Sequence, residues 1–156
     1  MTTQVHTVPD DATWHELRSR HIGASESEAL LGVCKYATPF TLYHRKRGTL
    51  PEVDLDDERV FWGTHMEATI AMGLAKQHGL RVRKARHYLT NDNAPGAGAS
   101  LDYTVDSGND GFVPFEIKNV DSFVFLEEWD RRNGILVPPV HIDIQVQQQM
   151  LVSGAP

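Results

Sequence analysis

The sequence contains a single cysteine, Cys34, and this excludes an intrachain disulfide and a cysteine-rich zinc site. Its eight histidines are scattered without any His-x-x-x-His pair, which argues against a histidine-based zinc site. No apolar run approaches the length of a membrane span, and the N-terminus lacks the charged-then-apolar pattern of a signal peptide. We therefore expect a cytoplasmic protein with no membrane partner.

The length and charge of the chain set limits on its class. A chain of 156 residues with 40% hydrophobic and 23% charged residues suits one globular domain with a real core. The formal net charge of −6 argues weakly against a protein that coats nucleic acid. Two basic stretches, 44–47 and 81–87, nevertheless interrupt the acidic background. Each either follows a phosphate backbone or forms a solvated helix end or strand edge, and both alternatives stay open.

The order of predicted elements indicates an α/β (α+β) fold, in which a small sheet is flanked by helices. We expect residues 1–9 to be a disordered lead-in and residues 10–156 to form a single domain. Capping residues, turn residues and apolar spacing predict helices at about 10–20, 25–32, 38–47, 58–78 and 140–152, and an acidic linker at 50–57. Strand-like runs occupy 80–89, 99–105 and 112–120, while 123–132 reads as a helix or a mixed segment.

The most informative pattern is the hairpin predicted around the Gly-Asn-Asp-Gly turn at 108–111. Glu116 and Lys118 are two residues apart, so they share one face of a strand. If the register brings Asp102 opposite or diagonal to them, two carboxylates and an ammonium group converge. Two carboxylates suit a hard divalent cation such as Mg²⁺, and a nearby lysine can hold or deprotonate an attacking water. This is the chemistry of phosphodiester hydrolysis.

The same pattern has a simpler interpretation. On an amphipathic hairpin, Asp…Glu-x-Lys is most often a solvated polar face with a cross-strand ion pair. The apolar residues beside these charges favour a covered strand, in which charged groups need partners. A metal is one candidate partner, and an ion pair is the other.

Several segments together resemble the YqaJ-type viral recombinase family, which includes phage lambda exonuclease and belongs to the restriction-endonuclease-like PD-(D/E)xK nucleases. The resemblance covers residues 14–154. It rests on segments in the order of the family: Trp14-His15-Glu16-Leu17-Arg18, Ile22-Gly23-Ala24-Ser25, Leu31-Gly32 through Tyr43, Trp62 to Glu67, Ala99 to Asp102, Glu116-Ile117-Lys118 and Gln145 to Met150. The resemblance implies a restriction-endonuclease-like core with a small central mixed β-sheet.

The resemblance also implies residue roles. Asp102 and Glu116 would ligate Mg²⁺ or Mn²⁺, as two ions, with the Ile117 carbonyl as a further oxygen ligand. Lys118 would position or activate the water. Three more roles follow from the same positions: Glu67 would assist a second metal, Gln145 would orient substrate or water, and Arg18 with Ser25 would hold the 5′-phosphate of a DNA end. Ser25 is also the predicted N-cap of a helix, where an anion is favoured.

The implied function is a Mg²⁺-dependent exonuclease that resects one strand of linear double-stranded DNA for phage-type recombination. The resemblance further implies a bacterial or phage-infected host cell, a homo-oligomeric ring and a single-strand-annealing partner protein. An endonuclease of the same superfamily in repair or defence, and a DNA-binding module without activity, remain alternatives. Leu101 and Tyr103 stand where the family usually has Pro and Gly. The end at Pro156 suggests either a minimal version or a C-terminally truncated one.

Overall fold

A computed structural model describes residues 2–51, 57–108 and 111–155, and the fold is α+β, as the sequence predicts. The helices are α1 (Asp11–Arg20), α2 (Ser27–Leu30), α3 (Pro39–Lys46), α4 (Asp57–His78), α5 (Ser122–Glu128) and α6 (Val140–Ser153), with a 3-10 turn at Ala24–Glu26. The strands are β1 (Thr3–Thr7), β2 (Ile22–Gly23), β3 (Val82–Lys84), β4 (His87–Asn91), β5 (Ala97–Ser100), β6 (Tyr103–Asp106), β7 (Phe112–Phe115), β8 (Asp130–Arg132) and β9 (Ile135–Val137).

The described residues contain nine strands, which form three sheets, whereas the sequence predicted only three strands. One sheet has the order β1-β4-β5-β2, the second has β3-β6-β7, and β8 and β9 form a separate hairpin. The first sheet is mixed, because β2 and β5 are parallel and its other pairs are antiparallel. Helix α6 packs against β4, β5 and β7 and therefore joins the first two sheets.

Local capping explains where the helices begin and end. Asp10 accepts a hydrogen bond from the Thr13 N–H at 2.8 Å, so α1 begins where its side chain satisfies a free donor. Thr38 and Thr41 form the corresponding pair at the start of α3, where Pro39 occupies the first turn. Gly154, in the left-handed conformation at φ 73°, ends α6. These boundaries agree with the predicted ones.

Residues 1–9, predicted as a disordered lead-in, contain strand β1, so that prediction was wrong for the described part of this segment. β1 pairs antiparallel with β4 along its whole length. Thr3 also donates a hydrogen bond to the Val152 carbonyl of α6 at 3.0 Å. The polar sequence of this segment gave no sign of a strand, because the segment is ordered by backbone pairing with residues 80 to 88 positions away. The assignment of residues 10–156 to one domain stays a prediction.

Two predicted strands are each divided between sheets. The run 80–89 becomes β3 in one sheet and β4 in another, and the run 99–105 becomes β5 and β6 in the same way. Of the hairpin turn at 108–111, Asn109 and Asp110 lie outside the described residues, as does most of the acidic linker at 50–57. The register of β6 with β7 places Tyr103 opposite Phe115.

The core lies between α6 and the first sheet. It consists of Ala24, Leu89, Ala99 and Val152, with Ala97 and Leu101 packed against it. Tyr88, Gln149 and Val152 are the largest fully buried side chains among the described residues. None of the described helices combines the length and apolar content that crossing a bilayer would require.

Candidate active site

Asp102 lies at the break between β5 and β6, where the chain passes from one sheet to the other. Its carbonyl accepts a hydrogen bond from the Ala85 N–H at 3.1 Å, next to the corresponding break between β3 and β4. Its carboxylate oxygen Oδ2 accepts a second bond, from the Ile117 N–H at 3.1 Å. Both the backbone and the side chain of Asp102 are therefore held by residues that follow the ends of strands β3 and β7.

Glu116 and Lys118 follow the end of β7 instead of lying inside a strand. β7 ends at Phe115, and residues 116–121 are irregular, so the prediction of a strand through Val120 was wrong. Strand pairing ends at Phe115, and two residues later the Ile117 N–H binds the Asp102 side chain. Lys118 and Glu116 still meet as predicted, with 2.7 Å between Lys118 Nζ and Glu116 Oε1.

Helix α6 supplies two amides to this cluster. Gln145 Nε2 donates to Glu116 Oε1 at 2.6 Å, and Gln145 Oε1 accepts from Lys118 Nζ at 2.9 Å. Gln149, one turn later, donates from Nε2 to Glu116 Oε2 at 2.6 Å. Gln149 was not among the predicted site residues. Its i, i+4 spacing from Gln145 was the available signal, but the same spacing fits an exposed polar stripe.

Glu67 reaches the edge of the cluster from α4. Its carboxylate lies 3.3 Å from Lys84 Nζ of β3, and its side chain is 16% exposed. Glu67 also acts electrostatically on Asp102, since its charge raises the pKa of the Asp102 carboxyl. Glu67 is thus close to the other acidic groups, but its described ion-pair partner is Lys84.

The pKa of Asp102 is raised to about 6 from its ordinary value of 3.8. Burial is the main cause, and the negative charge of Glu116 adds to it. The hydrogen bond from the Ile117 N–H and the charge of Lys118 both lower the pKa and oppose this shift. Raised carboxyl pKa values of this kind are common at functional sites, and they also occur in structural charge clusters.

The oxygen donors of this cluster fit a hard divalent cation. Asp102 and Glu116 offer carboxylates, and Ile117, which directly follows Glu116 in the sequence, offers a backbone carbonyl. Mg²⁺ accepts one or two carboxylates and keeps several waters, so a pair is a sufficient donor set. Among the described residues, however, no group of three or more His, Cys, Asp or Glu side chains lies close enough to hold a metal ion.

A cleft of about 770 Å³ opens beside the cluster and includes Lys118 and Gln145 among its lining residues. Ser25 and Trp62 also line it, and Trp62 is 52% exposed. A smaller cavity of about 360 Å³ is lined by Glu116 and Ile117, and it shares Lys118 with the cleft. Lys118, Gln145 and Glu116 therefore border open space that is large enough for part of a substrate.

Arg18 and Ser25, predicted to hold one phosphate together, have different surroundings. Arg18 lies 3.4 Å from Glu26 and stacks 4.5 Å from the Trp14 ring centre. Glu26 also lies 2.7 Å from Lys46 Nζ. The described lining of the cleft includes Ser25 but does not include Arg18.

Ser25 is not a helix N-cap, so that part of the prediction was wrong. It lies exposed inside the 3-10 turn, and Gly23 occupies the cap position. Glu26 accepts a hydrogen bond from the Gly23 N–H at 2.7 Å, which is one half of the capping box that was expected two residues later; glycine has no side chain to form the other half. Helix α2 begins only at Ser27, so the argument for an anion at the Ser25 cap does not hold.

Fold and site together define a small α+β protein with two carboxylates, a lysine and two glutamines joined where a sheet divides. The YqaJ-like viral recombinase domain matches residues 13–156, and the chain therefore belongs to this nuclease-related family. It is similar to the uncharacterized protein YqaJ of Bacillus subtilis (strain 168), with 27% identity over 141 residues. The match covers 90% of this chain and 42% of that protein, so the chain spans less than half the length of this relative.

Proposed function

We propose that the protein is a Mg²⁺-dependent deoxyribonuclease that resects one strand of linear double-stranded DNA from a 5′-phosphorylated end. The observation that supports this most directly is the convergence of Asp102, Glu116, Lys118 and Gln145. Two of these residues, Lys118 and Gln145, also line an open cleft. Membership of a viral recombinase family agrees with a DNA substrate. Double-stranded DNA ends are the proposed substrate, and a single-strand-annealing protein and a homo-oligomeric ring are the proposed partners.

Each residue has a distinct task in this proposal. Asp102, Glu116 and the Ile117 carbonyl would hold the cation, with Glu67 assisting a second ion. The cation supplies Lewis-acid stabilisation of the charge that develops on the scissile phosphate. Lys118 is partly exposed beside Glu116, so its ammonium group can donate a hydrogen bond to an attacking water or to a phosphate oxygen.

Gln145 orients Lys118, and Arg18 and Ser25 bind the DNA. Gln145 contacts both Glu116 and Lys118, so it sets the direction from which the lysine approaches the cleft. Arg18 binds the terminal phosphate by exchanging its contact with Glu26 for a bidentate contact with the anion. Ser25, exposed at the cleft, donates its hydroxyl to the same DNA strand.

The test is digestion of end-labelled linear duplex DNA beside a closed circular control, with Mg²⁺ and with chelator. Wild type, Lys118→Ala and Lys76→Ala are compared, because Lys76 is an exposed lysine in the last turn of α4. We expect Mg²⁺-dependent loss of linear DNA alone, abolished in Lys118→Ala and retained in Lys76→Ala. Cutting of the circle would favour an endonuclease, and no cutting by the folded protein would favour a DNA-binding module.

A further inference from the structure

Gln149 is one of three residues whose side chains donate to the carboxylate of Glu116. Its side chain is fully buried, at 0% exposure, and its Nε2 donates to Glu116 Oε2 at 2.6 Å. Gln145 and Lys118 bind the other carboxylate oxygen, Oε1, at 2.6 Å and 2.7 Å. Three donors from two parts of the chain therefore hold one carboxylate whose side chain is only 8% exposed.

The orientation of the Gln149 amide is set by this carboxylate. Its own oxygen Oε1 is buried and has no hydrogen-bond partner among the described residues. Rotating the amide by half a turn would place that oxygen against Glu116 Oε2, where two acceptors would repel each other. The amide thus binds Glu116 through Nε2 while its own Oε1 stays buried without a hydrogen bond. A buried polar atom without a partner is unfavourable, so its presence calls for an explanation.

A count of acceptor sites shows what this contact does. An ionised carboxylate has about two acceptor sites on each oxygen. Gln145 and Lys118 fill both sites of Oε1, and Gln149 fills one site of Oε2. One site remains, on Oε2.

We propose that Gln149 is a positioning residue that presents this remaining site of Glu116 to a single divalent cation. The inference rests on the proposed metal-dependent function and deepens it. Residues that hydrogen-bond a metal ligand orient it and raise its affinity, and their loss typically weakens metal binding about 10- to 100-fold. Gln149 acts through Glu116 and contacts neither the substrate nor the cation.

Gln149→Met and Gln148→Met provide a matched pair for the test. The two glutamines are neighbours on α6, but Gln148 binds the carbonyls of Ile22 at 2.7 Å and Gly98 at 3.0 Å, away from Glu116. The rise in melting temperature is followed as MgCl₂ is added without DNA. We expect the half-saturating Mg²⁺ concentration to increase about tenfold or more in Gln149→Met and to stay within about twofold of wild type in Gln148→Met.

Gln148→Met should instead lower the melting temperature without Mg²⁺, because it breaks contacts between α6 and the first sheet. Equal Mg²⁺ dependence of wild type and Gln149→Met would overturn the inference. If wild type showed no response to Mg²⁺ or Mn²⁺, the inference and the proposed function would both fail. The two failures are therefore distinguishable.

A measurement on the unmodified protein covers the case in which Gln149→Met does not fold. The side-chain amide resonances of the glutamines are followed by ¹H–¹⁵N NMR while MgCl₂ is added. We expect the Gln149 amide to shift with the same half-saturation as the stability effect, while the Gln147 amide, exposed on the same helix, stays in place. An unmoved Gln149 amide in a protein that binds Mg²⁺ would overturn the inference.

Discussion

The carboxylate of Asp102 accepts a hydrogen bond from the backbone N–H of Ile117 at 3.1 Å. This bond connects the break between β5 and β6 to the segment that leaves β7, and it brings Asp102 next to Glu116 and Lys118. The cluster therefore forms where regular strand pairing stops. Backbone and side-chain groups released from the sheet are available there to bind each other.

Asp102→Asn should stabilise the protein in chelator while abolishing Mg²⁺-dependent cleavage. Asn keeps the acceptor for the Ile117 N–H but removes a buried charge that lies beside Glu116. We expect about 1 kcal/mol of gain at pH 8 after allowing for partial exposure, or about 2–4 °C in melting temperature. Thermal unfolding of wild type and Asp102→Asn in chelator measures this difference in melting temperature.

The pH dependence provides the control for this prediction. Because the pKa of Asp102 rises on folding from 3.8 to about 6, the native state binds the proton more tightly than the unfolded chain. Its contribution to stability is fully present below pH 3.8 and is lost as the pH rises through 6. The advantage of Asp102→Asn should thus grow between about pH 4 and 6. An equal difference at pH 4 and pH 8 would contradict this explanation.

Gln145→Leu should slow cleavage with little effect on folding. The substitution removes the contacts of Gln145 to Glu116 and Lys118, so both side chains lose their shared orientation. We expect the single-turnover rate at saturating Mg²⁺ to fall about 10- to 100-fold. Gln147→Leu is the control, because Gln147 is exposed on the same helix and contacts Asp143 at 3.5 Å. Similar rates for the two variants would remove Gln145 from the mechanism.

Arg18→Ala should reduce the preference for 5′-phosphorylated over 5′-hydroxyl ends. A hydrogen bond to a charged group contributes about 1.5–3 kcal/mol, so we expect the ratio of rates to fall about tenfold or more. The measurement compares the cleavage rates of one duplex sequence prepared with a 5′-phosphate and with a 5′-hydroxyl end. Arg20→Ala is the control, because Arg20 is exposed and pairs with Glu16 one turn away. An unchanged ratio would place the end-phosphate site elsewhere.

Gly98→Ala should destabilise the first sheet. A Cβ at Gly98 would lie 2.6 Å from two ring atoms of Tyr88, whose side chain is only 1% exposed and has no room to move. We expect a loss of about 1–3 kcal/mol in the free energy of unfolding, measured by denaturant titration. Gly73→Ala in α4 meets no atom within 4 Å and should be neutral or stabilising. Equal stability of the two variants would refute the steric argument.

The helices were the part of the fold most accessible from the sequence, because their signals are local. Asp10 and Thr38 cap helices through contacts within a few residues, and the predicted starts of α1 and α3 followed from such residues. The strand breaks and β1 were not accessible in this way. Whether a run such as 99–105 stays one strand depends on its pairing partners, and those lie far away in the chain.

The sequence by itself determined which residue types are available to the site: Asp102, Glu116, Lys118 and Gln145, and their resemblance to a recombinase family. Only the tertiary structure decided how they meet. In the structure, Glu116 and Lys118 lie outside the strand, and Gln149 is a further donor to Glu116. Ser25 lines the cleft, whereas Arg18 is not among its lining residues. The physical reason is distance along the chain: α6 binds Glu116 across 29 and 33 residues, and no local pattern encodes such a contact.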